Sequence, residues 1–395
     1  MDLPVIADEG PAGRRPSHLA GGPRREVGWW YRRQDRPPAR EETMDILPLA
    51  AGRPPGPGPL TAEEIAAYAV AAAVWAPSVH NTQPWWFSAD GQELSLHADA
   101  GRQLMVADPR GREMMISCGA ALFTARLALR SLGYIPHTSV LPDPGRPLLV
   151  ARVSWQRRAA AAGFEQRLFG QVLLRRTHRG GFDPLPLAPE LVTVLQAGAE
   201  RDGAALRVIG GEGSRAALAA AVETAEHALR LDSAYARELA SWAPPPGSGR
   251  RDGVPGTAYP ARPERTLPFF PGRDFAHGHR WGTAVAAPPA APRSAGVACL
   301  LTTARDRPVD WVNAGQALQR TLLTAATCGV AAALHSQPLE RARLREFIRT
   351  NLADGSYPQL VLRLGTVIQT AVSVRRSPAS VLFASGGEHL SISDA

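Results

Sequence analysis

The 395-residue sequence contains no lysine, so all 44 of its basic residues are arginine. Against 36 acidic residues this leaves a formal net charge of +8, a balance that raises the question of nucleic acid. Binding nucleic acid also calls for stacking aromatics or a reader motif. Neither accompanies the arginines, so the charge reads as composition, like the 36 prolines and 37 glycines. Cysteine is scarce as well. Cys118, Cys299 and Cys328 form no C-x-x-C pair and no metal-ligand spacing, which argues against a disulfide framework or a metal site and makes a reduced cytoplasmic protein the default. No apolar run reaches the roughly 18 residues that a membrane-spanning helix needs. The opening "MDLPVIADEG" lacks a basic start followed by an apolar stretch, so no secretory signal is expected.

Residues 1–58 are rich in Pro, Gly and Arg without helical or strand period, and such a composition cannot offset its ordering entropy by burial. They are expected to be a disordered extension, with Met44 a possible true start. Order begins at "TAEEIAAYAVAAAVW", where Thr61 as N-cap and Glu64 three residues on form a capping box. "WWFSADGQELSLHAD" reads as a hairpin turning at Asp90-Gly91. "GREMMISCGAALFTARLALRSLG" reads as a long helix closed by Gly133, with Asp108 and Arg112 capping its start. "PLLVARVSW" is a strand.

The second half echoes the first. "CGAALFTARLALRSLG" (118–133) lies on "AGQALQRTLLTAATCG" (314–329) without gaps, pairing Gly119 with Gly315, Leu122 with Leu318 and Gly133 with Gly329. Composition alone could bring two alanine-rich helices together in this way. The shared order of helix, strand, long helix and strand favours an internal duplication. The copies are expected at 59–160 and 161–385, with a tail at 386–395. The second carries a Pro- and Gly-rich insertion at 242–292, far longer than an ordinary connection. Its Phe269, Phe270, Phe275 and Trp281 suggest that part of it docks.

Three polar clusters stand out. "APSVHNTQPW" has the form P-S-x-x-N-x-Q-P-W, a turn stiffened by Pro77 and Pro84 that offers Ser78, Asn81 and Gln83 at one place. It suits the edge of a planar heterocycle, or it is an Asx-type turn joining helix to strand. "LLRRTHRGG" sets Arg175, Thr177 and Arg179 at alternate positions beside Arg176, a pattern that suits a phosphate or an ordinary solvated face. "VRRSP" adds Arg375 and Arg376.

P-S-x-x-N-x-Q-P-W, R-R-[ST]-x-R and a late R-R-x-P together resemble the nitroreductase family of FMN enzymes. The resemblance implies an α+β sandwich, built in that family as an intertwined homodimer with FMN at the interface. Here the motif parts are divided: the first copy has the loop without the arginines, and the second has the arginines without the loop. Two fused copies forming a pseudo-dimer with one FMN site are therefore expected, in a monomeric chain. The layout is similar to the Acg-type subgroup, in which the insertion covers the flavin as a lid.

Carried over by residue, the resemblance implies that Arg175, Arg176, Thr177 and Arg179 contact the FMN phosphate, ribityl chain and pyrimidine edge. Pro77, Ser78, Asn81 and Gln83 line the other wall, with Ser336 and Gln337 near the flavin N5 edge. Arg376 fits the late phosphate-binding arginine better than Arg375. No residue is assigned to catalysis; His80 and His178 read as turn histidines, and the three cysteines as core residues. The implied activity is transfer of reducing equivalents from NAD(P)H through FMN to a nitroaromatic- or quinone-type small molecule. The alternative is a catalytically weak protein that sequesters FMN under the lid. Neither nucleic acid nor membrane is expected as a partner, and no metal.

Overall fold

The computed structural model describes residues 59–262, 264–283, 293–367 and 373–384. The expectations for 1–58 and 386–395 lie outside these residues. The elements run α1 (Ala62–Ala73), β1 (Trp85–Asp90), β2 (Glu93–Ala98), α2 (Arg112–Ser131), β3 (His137–Val140), β4 (Leu149–Ser154), α3 (Gly163–Gly170) and β5 (Thr177–His178). Then come α4 (Pro189–Arg201), β6 (Ala205–Val208), α5 (Glu212–Arg230), α6 (Ser233–Ser241), β7 (Thr266–Leu267), β8 (Arg293–Ser294) and β9 (Val297–Thr303). The chain closes with α7 (Pro308–Thr327), β10 (Val330–His335), α8 (Gln337–Glu340), α9 (Ala342–Asn351), β11 (Tyr357–Thr366) and β12 (Leu382–Ala384).

Local chemistry sets the main boundaries. Thr61 and Glu64 close the capping box of α1 in both directions. Asp108 accepts from the backbone N–H of Met114 at 2.9 Å and so caps α2, whereas Arg112 instead donates to the Gln359 carbonyl and to Glu113. Gly91 turns the β1–β2 hairpin at φ +51°, a conformation that costs glycine little.

Two five-stranded sheets carry the duplication. The first has the order β12-β1-β2-β4-β3 and the second β6-β9-β11-β10-β5. Matching β1 with β6, β2 with β9, β4 with β11 and β3 with β10 gives the same three antiparallel pairings in each sheet. The flanking helices match too: α1 packs on α2 and β1, and α4 packs on α7 and β6. The fold is α+β, with two fused copies facing each other across one apolar core.

At the centre α2 packs on α7. A Cβ built on Gly119 would lie 2.1 Å from the Val312 carbonyl oxygen, and one on Gly315 would lie 2.0 Å from the Ile116 carbonyl oxygen. Each glycine thus touches the residue three positions before the other. That reciprocity is the mark of an isologous, two-fold contact, here made within one chain.

The structure departs from the sequence reading at several places. The insertion replaces the β1–β2 hairpin turn of the first copy, so it runs from 209 to 296 and includes α5 and α6. Helix α5 covers the outer face of the second sheet, which explains its apolar stripe. β12, at the end of the second copy, pairs in parallel with β1 and completes the first sheet. β10, to which the sequence reading assigned no element, is fixed as a strand by pairing with β11 and β5. Phe270 and Phe275 are buried while Phe269 is exposed. Cys118 and Cys299 are core residues, but Cys328 follows the last turn of α7 and is exposed.

Candidate functional site

The loop after α1 holds three non-glycine residues in the left-handed region: His80 (φ +46°), Asn81 (φ +55°) and Gln83 (φ +48°). Such backbone costs on the order of 1–3 kcal/mol per residue unless the surroundings fix it. Here they do. Asn81 Nδ2 donates to the Gly253 carbonyl at 2.8 Å and the Val374 carbonyl at 3.1 Å. Gln83 Nε2 donates to the Arg251 carbonyl at 3.0 Å, and Gln83 Oε1 accepts from Arg376 N at 2.8 Å. Ser78 Oγ accepts from Gln83 N, and Ser117 Oγ accepts from Val79 N. The loop of the first copy is thus tied to the insertion, to the C-terminal segment and to α2.

A cleft of about 340 Å³ opens beside this loop. Pro77, Ser78 and His80 form one wall, and Thr177, Arg179, Ser336 and Gln337 form the facing one. Arg273, Phe275 and Tyr259 from the insertion line it as well. A smaller pocket adjoins it, lined by Asn81, Ser78, Thr177, Arg179 and Arg375. Arg179 and Thr177 border both.

Of the residues singled out from sequence, Pro77, Ser78, Asn81, Thr177, Arg179, Ser336, Gln337 and Arg375 therefore converge. The other four do not reach either cavity wall. Gln83 is wholly buried in the hydrogen bonds just described. Arg176 lies over the Trp75 ring at 5.0 Å and donates to the Leu173 and Arg175 carbonyls. Arg175 sits behind Thr177, donating to Thr177 Oγ1 and to the Trp75 carbonyl. The preference for Arg376 over Arg375 is reversed. Arg376 spends its guanidinium on the Gln83, Trp85 and Ser380 carbonyls, while Arg375 donates to Asn81 Oδ1 at 3.0 Å at the pocket.

Electrostatics single out this corner. Arg175, Arg179 and Arg375 have no carboxylate partner among the described residues, and Arg175 and Arg375 are each 6 % exposed. Burial, then repulsion by Arg176 and Arg179, lowers Arg175 to about 10. Burial lowers Arg179 to about 10 as well, and Arg375 is pushed well down by burial and by the other three arginines. All stay protonated at neutral pH, so positive charge is concentrated here with no counterion among the described residues. Such a site is built for an anion.

Sequence reading missed the acidic lining. Glu113, on the first turn of α2, and Arg273 both border the cleft, and Arg273 ion-pairs with Glu340. Neither acid belongs to a recognisable motif, and only the fold brings them together. His335 also lines the cleft; Arg363 Nε donates to its Nε2 at 2.9 Å, which puts the proton of the neutral ring on Nδ1. His178 donates through Nε2 to the Gly181 carbonyl at 2.8 Å, a turn histidine as expected. Among the described residues no group of side chains could hold a metal ion, and no helix is long and apolar enough to cross a membrane.

No family model matches the chain. Solved structures of FMN-bound nitroreductases from Bacteroides fragilis and Desulfitobacterium hafniense align with 53% of it at 10% and 14% identity, with TM-scores of 0.31 and 0.32, covering 92% and 94% of those chains. Among curated proteins, "Putative NAD(P)H nitroreductase acg" of Mycobacterium tuberculosis is 27% identical over 312 residues, which is 78% of this chain and 91% of that one. "Putative NAD(P)H nitroreductase Rv3131" of the same organism is 34% identical over 300 residues, covering 74% of this chain and 82% of the relative. With 34% identity over 74% of this chain and 82% of that relative, the chain belongs to the nitroreductase family.

Proposed function

We propose that the chain binds one FMN in the cleft and uses it to pass reducing equivalents from NAD(P)H to an electrophilic small molecule such as a nitroaromatic or a quinone. The observation that carries this reading is the set of three guanidinium groups, Arg175, Arg179 and Arg375, that lack a carboxylate partner among the described residues. A phosphate monoester fits them: it supplies the missing negative charge and accepts from the Ser78 and Thr177 hydroxyls around the smaller pocket. The adjoining 340 Å³ cleft has the size of a ligand site, and its walls mix apolar surface with a few polar groups.

Bound FMN would supply the two-electron chemistry itself. Arg179, shared by both cavities, is the residue we assign to favouring negative charge on the reduced ring. Phe275, set 5.7 Å over Arg179 and edge-on to His80 at 5.6 Å, excludes water from the same corner. The insertion also supports a second reading, of a protein that holds FMN without turnover. Its backbone accepts hydrogen bonds from Asn81, Gln83 and Arg179, so release of a ligand would require breaking several contacts.

Purified chain is expected to show a flavin visible spectrum, or to acquire one with added FMN, at one flavin per chain. Two per chain would overturn the single-site reading, and none would overturn FMN binding. NADPH oxidation driven by a nitroaromatic separates the reductase from the storage protein. We also read the two copies as a gene duplication whose α2–α7 contact replaces a subunit interface, in a chain that works in the cytoplasm and binds neither nucleic acid nor membrane. Light scattering should give the 42.1 kDa mass of one chain; twice that mass at micromolar concentration would show that a further interface exists.

A further inference from the structure

Glu113 is an acid in the lining of the cleft, and a second acid, Glu340, bears on it from outside that lining. Glu113 borders the cleft beside Ile116 and Ser117 and is 4 % exposed. Its Oε1 accepts from Arg112 Nη2 at 2.7 Å, while Oε2 is sealed from solvent with no hydrogen-bond partner among the described residues. The charged and titratable groups bearing on it are Asp108 and Arg112 from its own end of α2, Glu340 from α8 and Arg273 from the insertion. Glu340 has its Oε1 engaged by Arg273 and by Ser336 Oγ.

Two buried carboxylates acting on each other do not both ionise at neutral pH. Both cations are shared, Arg273 with Tyr235 Oη and Ser336 Oγ and Arg112 with the Gln359 carbonyl at 2.6 Å. Each acid has an Oε2 with no partner among the described residues, but Glu340 Oε1 accepts from two donors, Arg273 and Ser336 Oγ, and Glu113 Oε1 from Arg112 alone. The proton therefore rests on Glu113, whose carboxyl is raised well above the usual carboxylate range, first by burial and then by the Glu340 charge.

His80 supplies an independent pointer to the same place. It is 7 % exposed, lines the cleft, and its Nε2 has no partner among the described residues. Burial, then the charges of Arg273 and Arg179, holds its ring well below the ordinary imidazole value, hence neutral. It can orient a polar atom in the cleft by a hydrogen bond but has no proton to give away as a cation. Glu113 does.

We propose that Glu113 is the proton donor to the oxygen of the acceptor, which is then a neutral carbonyl compound of the quinone class. This rests on the FMN reading above. Reduced FMN, when bound, would supply the quinone with two electrons and one hydrogen as hydride and would be left oxidised. The quinone oxygen takes the second hydrogen as a proton from Glu113: the carboxyl O–H bond breaks, an acceptor O–H bond forms, and a hydroquinone leaves. Solvent then returns the proton to the Glu113 carboxylate.

The test has a part that needs no flavin. Infrared spectra of the apoprotein near neutral pH should contain the carbonyl stretch of a protonated carboxylic acid that disappears in Glu113→Gln. With FMN loaded and rates expressed per bound flavin, reoxidation of the reduced protein by a benzoquinone should fall by about 100-fold or more in Glu113→Gln, the usual scale of general-acid catalysis. The wild-type rate should decline as pH rises and Glu113 ionises, and Glu113→Gln should lack that decline. Glu340→Gln provides a second variant: losing the neighbouring negative charge lets Glu113 ionise more easily, so the decline should move to lower pH. Normal FMN binding with an unchanged rate and profile in Glu113→Gln, or no carboxylic-acid band, overturns this inference alone. Absence of FMN binding overturns the functional reading and this inference with it.

Discussion

Gly315→Ala and Gly119→Ala should each destabilise the protein by about 3 kcal/mol, the upper part of the range for overpacking a core. Alanine in mid-helix normally gains roughly 0.5–1 kcal/mol over glycine, so the clash has to overcome that as well. It does so because the obstructing atoms are backbone. The new methyl at 315 meets the Ile116 carbonyl at 2.0 Å and the one at 119 meets the Val312 carbonyl at 2.1 Å. No rotamer change can move a carbonyl, so α2 and α7 must separate. Separation opens the core that joins both sheets and shifts the walls that each copy contributes to the cleft, so flavin affinity should fall along with stability. Because one separation accommodates both methyls, the double variant should lose less than the sum of the singles. Gly213→Ala is the control: it lies in α5 with nothing within 4 Å of an added Cβ, and should be neutral or slightly stabilising. Urea titrations of the four proteins check this, and a Gly119→Ala as mild as Gly213→Ala would refute the close helix contact.

The gapless match of 118–133 with 314–329 made this contact legible in the sequence, because a repeat that aligns two glycines puts them at equivalent points. The loop 77–83 and the arginines 175–179 were legible for a related reason: short polar residues, prolines and clustered guanidiniums are unusual enough to declare a site. What sequence could not show was which side chain faces the cavity. Arg375 and Arg376 are adjacent and both donate to carbonyls, but only Arg375 also reaches Asn81 Oδ1 and the smaller pocket. The strand β12 itself is three residues long, with no pattern of its own, and its place beside β1 follows from tertiary pairing. Glu113 and Glu340 lie far apart in the chain on helices of opposite copies, and each alone reads as an ordinary helix-end acid. The insertion was underestimated because α5 and α6 resemble core helices. Helix α5 is core to a second apolar layer on the outer face of the second sheet, and α6 packs Tyr235 and Leu239 with Leu104, Tyr259 and Phe275 in a third.

Arg179→Ala should weaken FMN binding by roughly 10- to 150-fold, the equivalent of 1.5–3 kcal/mol for a charge-assisted hydrogen bond. Arg375→Ala should act similarly, since both groups border the smaller pocket with Ser78 and Thr177. Arg175→Ala should cost less, because Arg175 reaches that pocket only through Thr177 Oγ1 and through its charge. Asn81→Ala should act indirectly, by untying the loop from Gly253 and Val374 and by releasing Arg375 from the oxygen that holds it. Arg376→Ala, by contrast, should appear as lost stability, because its bonds hold the loop and the β12 approach together. Ionic strength separates these routes. A phosphate held by guanidiniums is weakened by salt, so wild-type affinity should fall as salt is raised, and the fall should be shallower in Arg179→Ala and Arg375→Ala. Riboflavin, which lacks the phosphate, should bind weakly to wild type and lose little more on either substitution. Inorganic phosphate should raise the melting temperature of flavin-free wild type by mass action, and raise that of the double Arg179→Ala, Arg375→Ala variant much less. If riboflavin binds wild type as tightly as FMN, the three guanidiniums do not serve a phosphate, and the anion they are arranged for must be sought elsewhere.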